Sequence, residues 1–345
     1  MLYAIEDFEI TAVIENYKSL IWTLQYYGQG DFELVIPAEY LNVLKIGTML
    51  SKDRTDTGFE NVMVIQEITQ TYDIENGSLA TIRGKGLKND LLRRRIVWDQ
   101  TNLEGTVEDG IRQIITENCI SPEDWLREIP NFALGPRMGY EETFVYQAFS
   151  ENVADWVEQI CTGLGWGWDI VIDNGQYVFS LYKGEDHTAA SQDPVIFSKA
   201  LDNLLTSIYK AAETVANAAL IGGEGDGTDQ RTASIGDGSS GMERFETYID
   251  GSGVSSNGEI ITVETYLGML EEYGWSMLGQ VKGTEDYTGT VDYNQPFKLG
   301  EDFKLGDLVT IEDVVKINTR VIEIIYSESE SGIQVVPTFI KEEGV

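Results

Sequence analysis

The chain is poor in the residues on which much protein chemistry rests. Its 345 residues include one histidine, His187, and two cysteines, Cys119 and Cys161. A single histidine all but removes the usual histidine-based zinc sites. It also confines any Ser-His-Asp triad to His187, with Asp186 as its neighbour. His187 lies in the polar run from Lys183 to Asp193 and reads as a solvated loop histidine. Two cysteines are too few for a disulfide framework; both fall in helical patterns among apolar residues and read as buried free thiols, as in a chain made in a reducing cytoplasm. Positive charge is scarce: 24 Lys and Arg stand against 58 Asp and Glu, a net charge of −34. Binding to nucleic-acid phosphates needs clustered Lys and Arg. The balance instead describes a soluble, self-repelling surface, or a wall past which DNA must slide without sticking. The one basic cluster, Arg93-Arg94-Arg95, reads either as a solvated turn with local ion pairs to Asp90 and Asp99 or as an inter-subunit salt bridge. No run approaches the roughly 18 apolar residues of a membrane helix. The acidic start, with Glu6, Asp7 and Glu9, does not read as a signal peptide.

What is present is β patterning. The stretch Tyr17 to Ala38 organises the rest: Ser19–Tyr27 is rich in β-branched and aromatic residues, and Asp31–Ile36 alternates, with Phe32, Leu34 and Ile36 on one face. Gly28-Gln29-Gly30 offers the positive φ of a tight connection, and Pro37 stops the second strand for want of an N–H. Further strands are expected at Leu2–Ala12, Met49–Lys52, Val62–Thr71 and Ser78–Arg83, with a hairpin turn at Asn76-Gly77. Residues 1–90 therefore read as a small barrel or sandwich.

Residues 91–200 read as an inserted α+β domain. Thr106 is the expected N-cap of a helix to Asn118 that buries Val107, Ile111, Ile114 and Ile115. Ser150 is the expected cap of a second helix, with Val153, Trp156, Val157, Ile160 and Leu164 at helical spacing and a glycine stop at Gly163 or Gly165. The run from Ser121 to Glu142 reads as irregular. Strands follow at Gly167–Ile172 and Gln176–Tyr182, around Asp173-Asn174-Gly175. Residues 201–345 return to β, with strands at Asn217–Gly222, Arg231–Ile235 and Glu243–Ile249. A helix runs from Val263 to Val281, capped by Thr262, with Tyr266, Leu270, Tyr273, Met277 and Leu278 inward. Four more strands fall within 284–340.

No catalytic, cofactor-binding or metal-binding residue emerges. Gly222-Gly223-Glu224-Gly225-Asp226-Gly227 fails as a dinucleotide fingerprint, because Gln230 stands where glycine or alanine is wanted and no helix follows. It reads as a strand end and loop. Gly163-Leu164-Gly165-Trp166-Gly167-Trp168 fails too, since it follows a helix. Among 58 carboxylates some pairs will reach glycosidase spacing, but none can be singled out.

The chain also repeats itself. Lys45-Ile46-Gly47-Thr48-Met49-Leu50 matches Lys304-Leu305-Gly306-Asp307-Leu308-Val309, and Ile65-Gln66-Glu67-Ile68 matches Val321-Ile322-Glu323-Ile324. Each pair leads into a turn, Glu75-Asn76-Gly77 or Glu330-Ser331-Gly332, and then a strand closing near Ile82 or Phe339. Two units of one plan, one at each end of the chain, are expected, against the alternative that short hairpins simply look alike.

The runs Ser19-Leu20-Ile21-Trp22-Thr23, Tyr26-Tyr27-Gly28, Gly30-Asp31-Phe32-Glu33-Leu34 and Ile36-Pro37-Ala38 resemble the opening of a siphophage tail protein family of phages and prophages of Gram-positive bacteria. Arg94-Arg95-Ile96-Val97-Trp98, Leu103–Glu108, Ile129-Pro130-Asn131, Pro194–Lys199, Ala219–Gly225 and Leu305-Gly306-Asp307 are similar to the same family, in its order, from about residue 3 to 340. The family is similar to tail hub proteins. The resemblance implies a β-rich α+β fold of two related small β-barrels with an inserted α+β domain. It implies a homotrimer whose six barrels form a pseudo-sixfold ring under the hexameric tail tube. It further implies a structural, non-enzymatic role at the virion tail tip: closing the tube, joining the distal tail protein ring to receptor-binding or tip proteins, meeting the tape measure protein, and lining the DNA exit channel. No cofactor is implied. Wall-degrading activity is expected on another chain, since this one stops at Val345 just after the second barrel. A hub of a contractile tail or tail-like bacteriocin, and a tail-associated cell-wall hydrolase, are the alternatives.

Overall fold

In the computed structural model, residues 1–75, 77–212, 215–258, 260–279, 285–291 and 296–342 are described. The expected turn residue Asn76, the helix end at Val281 and the terminal Val345 lie outside the described residues.

The stretch Tyr17–Ala38 folds as its alternation dictates. Ser19–Gln25 and Asp31–Pro37 pair antiparallel, with Leu20 opposite Leu34 and Trp22 opposite Phe32. Leu20, Trp22, Phe32, Leu34 and Ile36 are all buried on one face, as a period of two requires. The expected single strand Leu2–Ala12 is instead a hairpin, Leu2–Glu6 with Glu9–Ile14. Its turn is Asp7-Phe8, both at positive φ. No glycine marks this turn, so the pattern alone reads straight through it.

These strands belong to one 14-stranded sheet. Its main path runs Ile208–Ala211, Glu285–Thr288, Gly332–Lys341, Lys316–Ser329, Ser19–Gln25, Asp31–Pro37, Gly77–Gly86, Met63–Asp73, Met49–Ser51, Leu2–Glu6, Glu9–Ile14. Leu308–Glu312 branches from it, antiparallel to Lys316–Ser329 and parallel to Asp186–His187 and Ile196–Ser198. Among the described residues this path is open, and no closed barrel forms within the chain. The two chain ends meet in its middle, where Glu323–Ser329 pairs with Ser19–Gln25.

The two repeats fold alike down to single hydrogen bonds. In the first, the Gly47 N–H donates to Ile65 O (2.8 Å), the Ile65 N–H to Thr48 O (3.0 Å), and the Thr48 N–H to Lys45 O (3.0 Å). In the second, Gly306 donates to Val321 O (2.8 Å), Val321 to Asp307 O (2.9 Å), and Asp307 to Lys304 O (3.2 Å). The side chain of Thr48 accepts from the Lys45 N–H as that of Asp307 accepts from the Lys304 N–H. Gly47 and Gly306 both take positive φ, 90° and 95°. The long hairpins carry a register shift at the same place, between Ile65 and Glu67 and between Val321 and Glu323. Chance likeness of hairpins does not reproduce a turn, its side-chain bond and a bulge in one order, so the chain contains a duplicated unit.

Among the described residues the α-helices are α1 (Leu87–Leu92), α2 (Val107–Ile115), α3 (Val153–Leu164) and α4 (Val263–Gly279). Thr106 caps α2 by accepting from the Asp109 N–H, and Val107, Ile111, Ile114 and Ile115 are buried as expected. The cap of α3 is Asn152, which accepts from the Ala154 N–H, not Ser150. Ser150 sits at positive φ two residues earlier; either side chain can cap, and the local backbone selects Asn152. Leu164, counted inward by spacing, is exposed at the last turn, where Gly165 in the left-handed region ends the helix. The run 121–142, read as irregular, contains a short strand, Phe132–Leu134, parallel to Gln176–Tyr182. The core around α2 and α3 takes in Ile5, Met49 and Phe59 from the first 90 residues, and Gly58–Glu60 pairs with Gly167–Asp173. Helix α4 packs on a separate three-stranded sheet of Ala218–Gly222, Thr232–Gly236 and Glu246–Asp250.

Tyr26 stands where these parts meet. It is fully buried. Its N–H donates to Ile322 O at 2.9 Å, and its hydroxyl is shared between Gly165 O (3.1 Å) and Tyr182 O (3.3 Å). The Arg320 guanidinium lies 5.5 Å from the ring centroid. A Cβ on Gly306 would sit 2.3 Å from the ring. One tyrosine thus touches the first repeat, the segment after α3 and the second repeat.

Two expectations follow for urea unfolding of the purified chain. Gly47→Ala faces open space and loses only about 1–2 kcal/mol to left-handed backbone strain. Gly306→Ala loses about 2–5 kcal/mol, because overpacking against Tyr26 adds to the same strain; equal losses would contradict the contact. Tyr26→Phe costs about 1–2 kcal/mol through the lost hydroxyl bonds; an unchanged midpoint would remove Tyr26 from its central position.

Candidate functional site

The seam between the repeats presents two surfaces. The first is the polar face of the sheet. Residues alternating with the buried set point away from the core: Ile21 on one strand, Asp31 and Glu33 on the next, Arg83 and Lys85 after it, then Glu67 and Thr69. Glu323 continues the row across the seam, opposite Gln25. Arg83 is spoken for, lying 2.7 Å from Glu33 and 3.5 Å from Glu67. Carboxylates, hydroxyls and amides therefore dominate this face. The seam itself is pinned by polar bonds: Tyr17 Oη donates to Glu328 (2.6 Å), Gln25 Nε2 to Glu323 (2.9 Å), and Lys18 pairs with Glu330 (3.4 Å).

The second surface is a cleft of about 640 Å³ behind the seam, lined by Trp22, Lys52, Lys88, Asp169, Lys304 and Tyr326 among others. The Lys88 ammonium donates to Gln25 O (2.9 Å) and Trp168 O (3.0 Å), tying the end of the first repeat to the segment after α3. Burial pushes Lys88 down from the ordinary lysine value and Asp169 up from the carboxylate value. Lys52 lies 3.0 Å from the Tyr326 ring centroid. Burial lowers its pKa to about 8, against the upward pull of Asp53 and Glu328. These contacts hold strands together across the seam, which is positioning rather than chemistry.

The residues singled out by sequence lie elsewhere. His187 is not a solvated loop residue: it forms a short parallel strand with Leu308–Glu312, and its side chain is only 17% exposed. Neighbouring β structure covers what a polar run reads as open. Its Nδ1 lies 2.9 Å from Asp193 O, while the Asp186 carboxylate accepts from the Thr188 N–H. Arg93 and Arg94 both bind Asp90, at 2.8 and 2.5 Å, which is the local-pair reading, through Asp90 rather than Asp99. Arg95 donates to Arg127 O. Burial works to raise Asp90, but the hydrogen bonds from Arg94 and Arg93 prevail and hold it below the ordinary value. Gly222 ends its strand as expected, and Glu224 in the loop accepts from Ser255 and Ser256. Cys119 and Cys161 are buried, and burial raises the Cys119 thiol to about 12. Among the described residues no group of three His, Cys, Asp or Glu side chains is placed to hold a metal ion, and no helix is long and apolar enough to cross a membrane. Spacing could not single out Lys52 and Lys88, because the walls of their cleft come from both ends of the chain.

The folded chain holds Lys52 less readily protonated than the unfolded chain does. Its contribution to stability is present above the ordinary lysine value of 10.5 and is lost as pH falls through about 8. Side-chain NMR titration is expected to show one lysine midpoint near 8 that Lys52→Met abolishes; a midpoint near 10 would contradict the burial.

A search of curated protein sequences finds no match. Three solved structures are similar across nearly the whole chain. The 43 kDa tail protein of prophage MuSo2 from Shewanella oneidensis superposes with a TM-score of 0.59 at 14% identity, over 99% of this chain and 97% of that one. The tail protein from Neisseria meningitidis MC58 gives 0.57 at 13%, over 95% and 93%. Prophage tail protein gp18 from Listeria monocytogenes EGD-e gives 0.55 at 10%, over 100% and 95%. At these identities the likeness concerns the fold, a β-rich one shared by phage tail proteins. The family model of the Siphovirus ReqiPepy6 Gp37-like protein matches residues 5–339. With a duplicated β unit, a tail-protein fold and a match of this extent, the chain belongs to the Siphovirus ReqiPepy6 Gp37-like family of phage tail proteins.

Proposed function

We propose that this tail protein is the hub of the tail tip: a homotrimeric ring that closes the tail tube, joins the distal tail ring to tip or receptor-binding proteins, and forms part of the DNA exit channel. The observation that carries the reading is the duplication. Two units with the same turn, bulge and strand order lie side by side in one sheet. Three copies would present six such units, the number needed to meet a hexameric tube, and the barrel expected from sequence would close between copies rather than within one chain.

The polar sheet face is the channel wall in this arrangement. Asp31, Glu33, Glu67 and Glu323 repel phosphate. Of the two cations on this face, Arg83 is engaged by Glu33 and Glu67, and Lys85, opposite Asp31, is outnumbered by the four carboxylates. DNA–protein adhesion grows with each phosphate neutralised by Lys or Arg, so this face lets DNA pass. The role is structural, and opening is a rearrangement of tip contacts rather than a reaction. In this reading 1–90 and 201–345 supply ring units, with Asp186–His187 and Ile196–Ser198 joining the second, and the rest of 91–200 with α4 supplies surfaces for tail partners.

The test is negative-stain imaging of the purified chain at high concentration, alone and with the distal tail protein. A threefold ring with a central hole, of three times 38.5 kDa, is expected. Failure to form a ring in both conditions would overturn the channel reading and bring a cell-wall hydrolase back into consideration.

A further inference from the structure

The duplication leaves two backbone edges open at opposite ends of the repeats. Within the chain, the outer half of the second long hairpin, Glu323–Ser329, pairs with Ser19–Gln25 of the first repeat. The equivalent outer half of the first hairpin is Glu67–Tyr72. Among the described residues its backbone pairs on one side only, with Gly77–Gly86. The equivalent of Ser19–Gln25 in the second repeat is Ile208–Ala211. Among the described residues it ends the sheet, pairs only with Glu285–Thr288, and is exposed at all four positions.

The in-chain seam gives the register. Trp22 opposes Phe32, which opposes Gly84, which opposes Ile65. Tyr209 opposes Tyr287, which opposes Phe339, which opposes Val321. Ile65 and Val321 are matched by the repeat, so Tyr209 holds the place of Trp22, and Gln70 holds that of Tyr326. At the seam, Trp22 is opposite Tyr326.

We infer that Ile208–Ala211 of one copy adds to the Glu67–Tyr72 edge of a second copy of this chain, antiparallel, with Tyr209 opposite Gln70 and Lys210 opposite Thr69. Both of these edges are then covered, which protects them from indiscriminate pairing. Lys210 falls diagonal to the neighbour's Glu67 on the polar face, an attractive cross-strand placement. The contact is head-to-tail, so it propagates until a ring closes. Closure at three copies rests on the hub reading; the edges and the register rest on the repeat.

The test is oxidative cross-linking of two double variants, Tyr209→Cys with Gln70→Cys and Lys210→Cys with Thr69→Cys. The control, shifted by one residue, is Tyr209→Cys with Thr71→Cys. Adjacent antiparallel pairs alternate between close and wide Cα spacing, and a disulfide tolerates a limited range of spacing, so at least one in-register variant bonds. The native thiols, Cys119 and Cys161, are buried. Reducible dimers and closed trimers are expected from an in-register variant, and monomer from the control. Sedimentation of the unsubstituted chain separates this inference from the hub reading. Trimer mass without in-register cross-links overturns the edge assignment and leaves the hub standing, and cross-linking in the control alone overturns the register. Monomer mass without cross-links overturns the inference, and ring formation with the distal tail protein then decides the hub reading by itself.

Discussion

The structure depends on one long-range strand pairing. Ser19–Gln25 meets Glu323–Ser329, and the hydrogen bond between Gln25 and Glu323 joins residues 298 positions apart. Closing a loop of that length costs conformational entropy that grows only slowly with length, but it must be met before the contact stabilises anything. Tyr26 follows directly on this strand and is held by backbone groups of the second repeat and of the segment after α3. Its phenol is raised to about 12, burial outweighing the nearby Arg320 guanidinium. That is the mark of a side chain committed to packing. The seam strand, the Lys88 staple and the Tyr26 contact fall within a few residues of one another, so the parts of the chain share a single point of registration.

Duplication explains why the sheet is so wide and yet open. A repeat that pairs its neighbour through a hairpin edge satisfies one edge and exposes another of the same kind. The bulges at Gln66 and Ile322 sit just before the outer hairpin halves. A bulge increases local twist, and here each one marks where a long strand leaves the short strand beside it, Met49–Ser51 or Leu308–Glu312, while keeping its hairpin partner. In the second repeat that half finds Ser19–Gln25. In the first, the partner offered by the same logic is a strand of another copy.

Much was legible in the residues because the relevant physics is local. Alternation placed Leu20, Trp22, Phe32, Leu34 and Ile36 inside. Thr106 announced α2 through its cap. The matched runs at Lys45 and Lys304 announced the duplication, since a turn needing positive φ and a short side chain that bonds back to the Lys N–H leaves the same mark twice. The failures are equally local. Asp7-Phe8 turns without glycine, Ser150 and Asn152 offer equivalent caps, and His187 occupies a polar run that non-local β pairing covers.

By itself the sequence determined the acidic charge, the strand-rich repeats at both ends, the helices and their buried faces, and the resemblance to phage tail proteins. Each is a property of composition, short-range periodicity or ordered motifs. The tertiary structure alone decided that the two repeats share one open sheet, that Tyr26 and Lys88 sit at its seam, that the carboxylates of three strands form one polar face, and which edges stay exposed. Those facts depend on which distant strands meet, and strand pairing is set by packing and register over hundreds of residues rather than by any window of the chain.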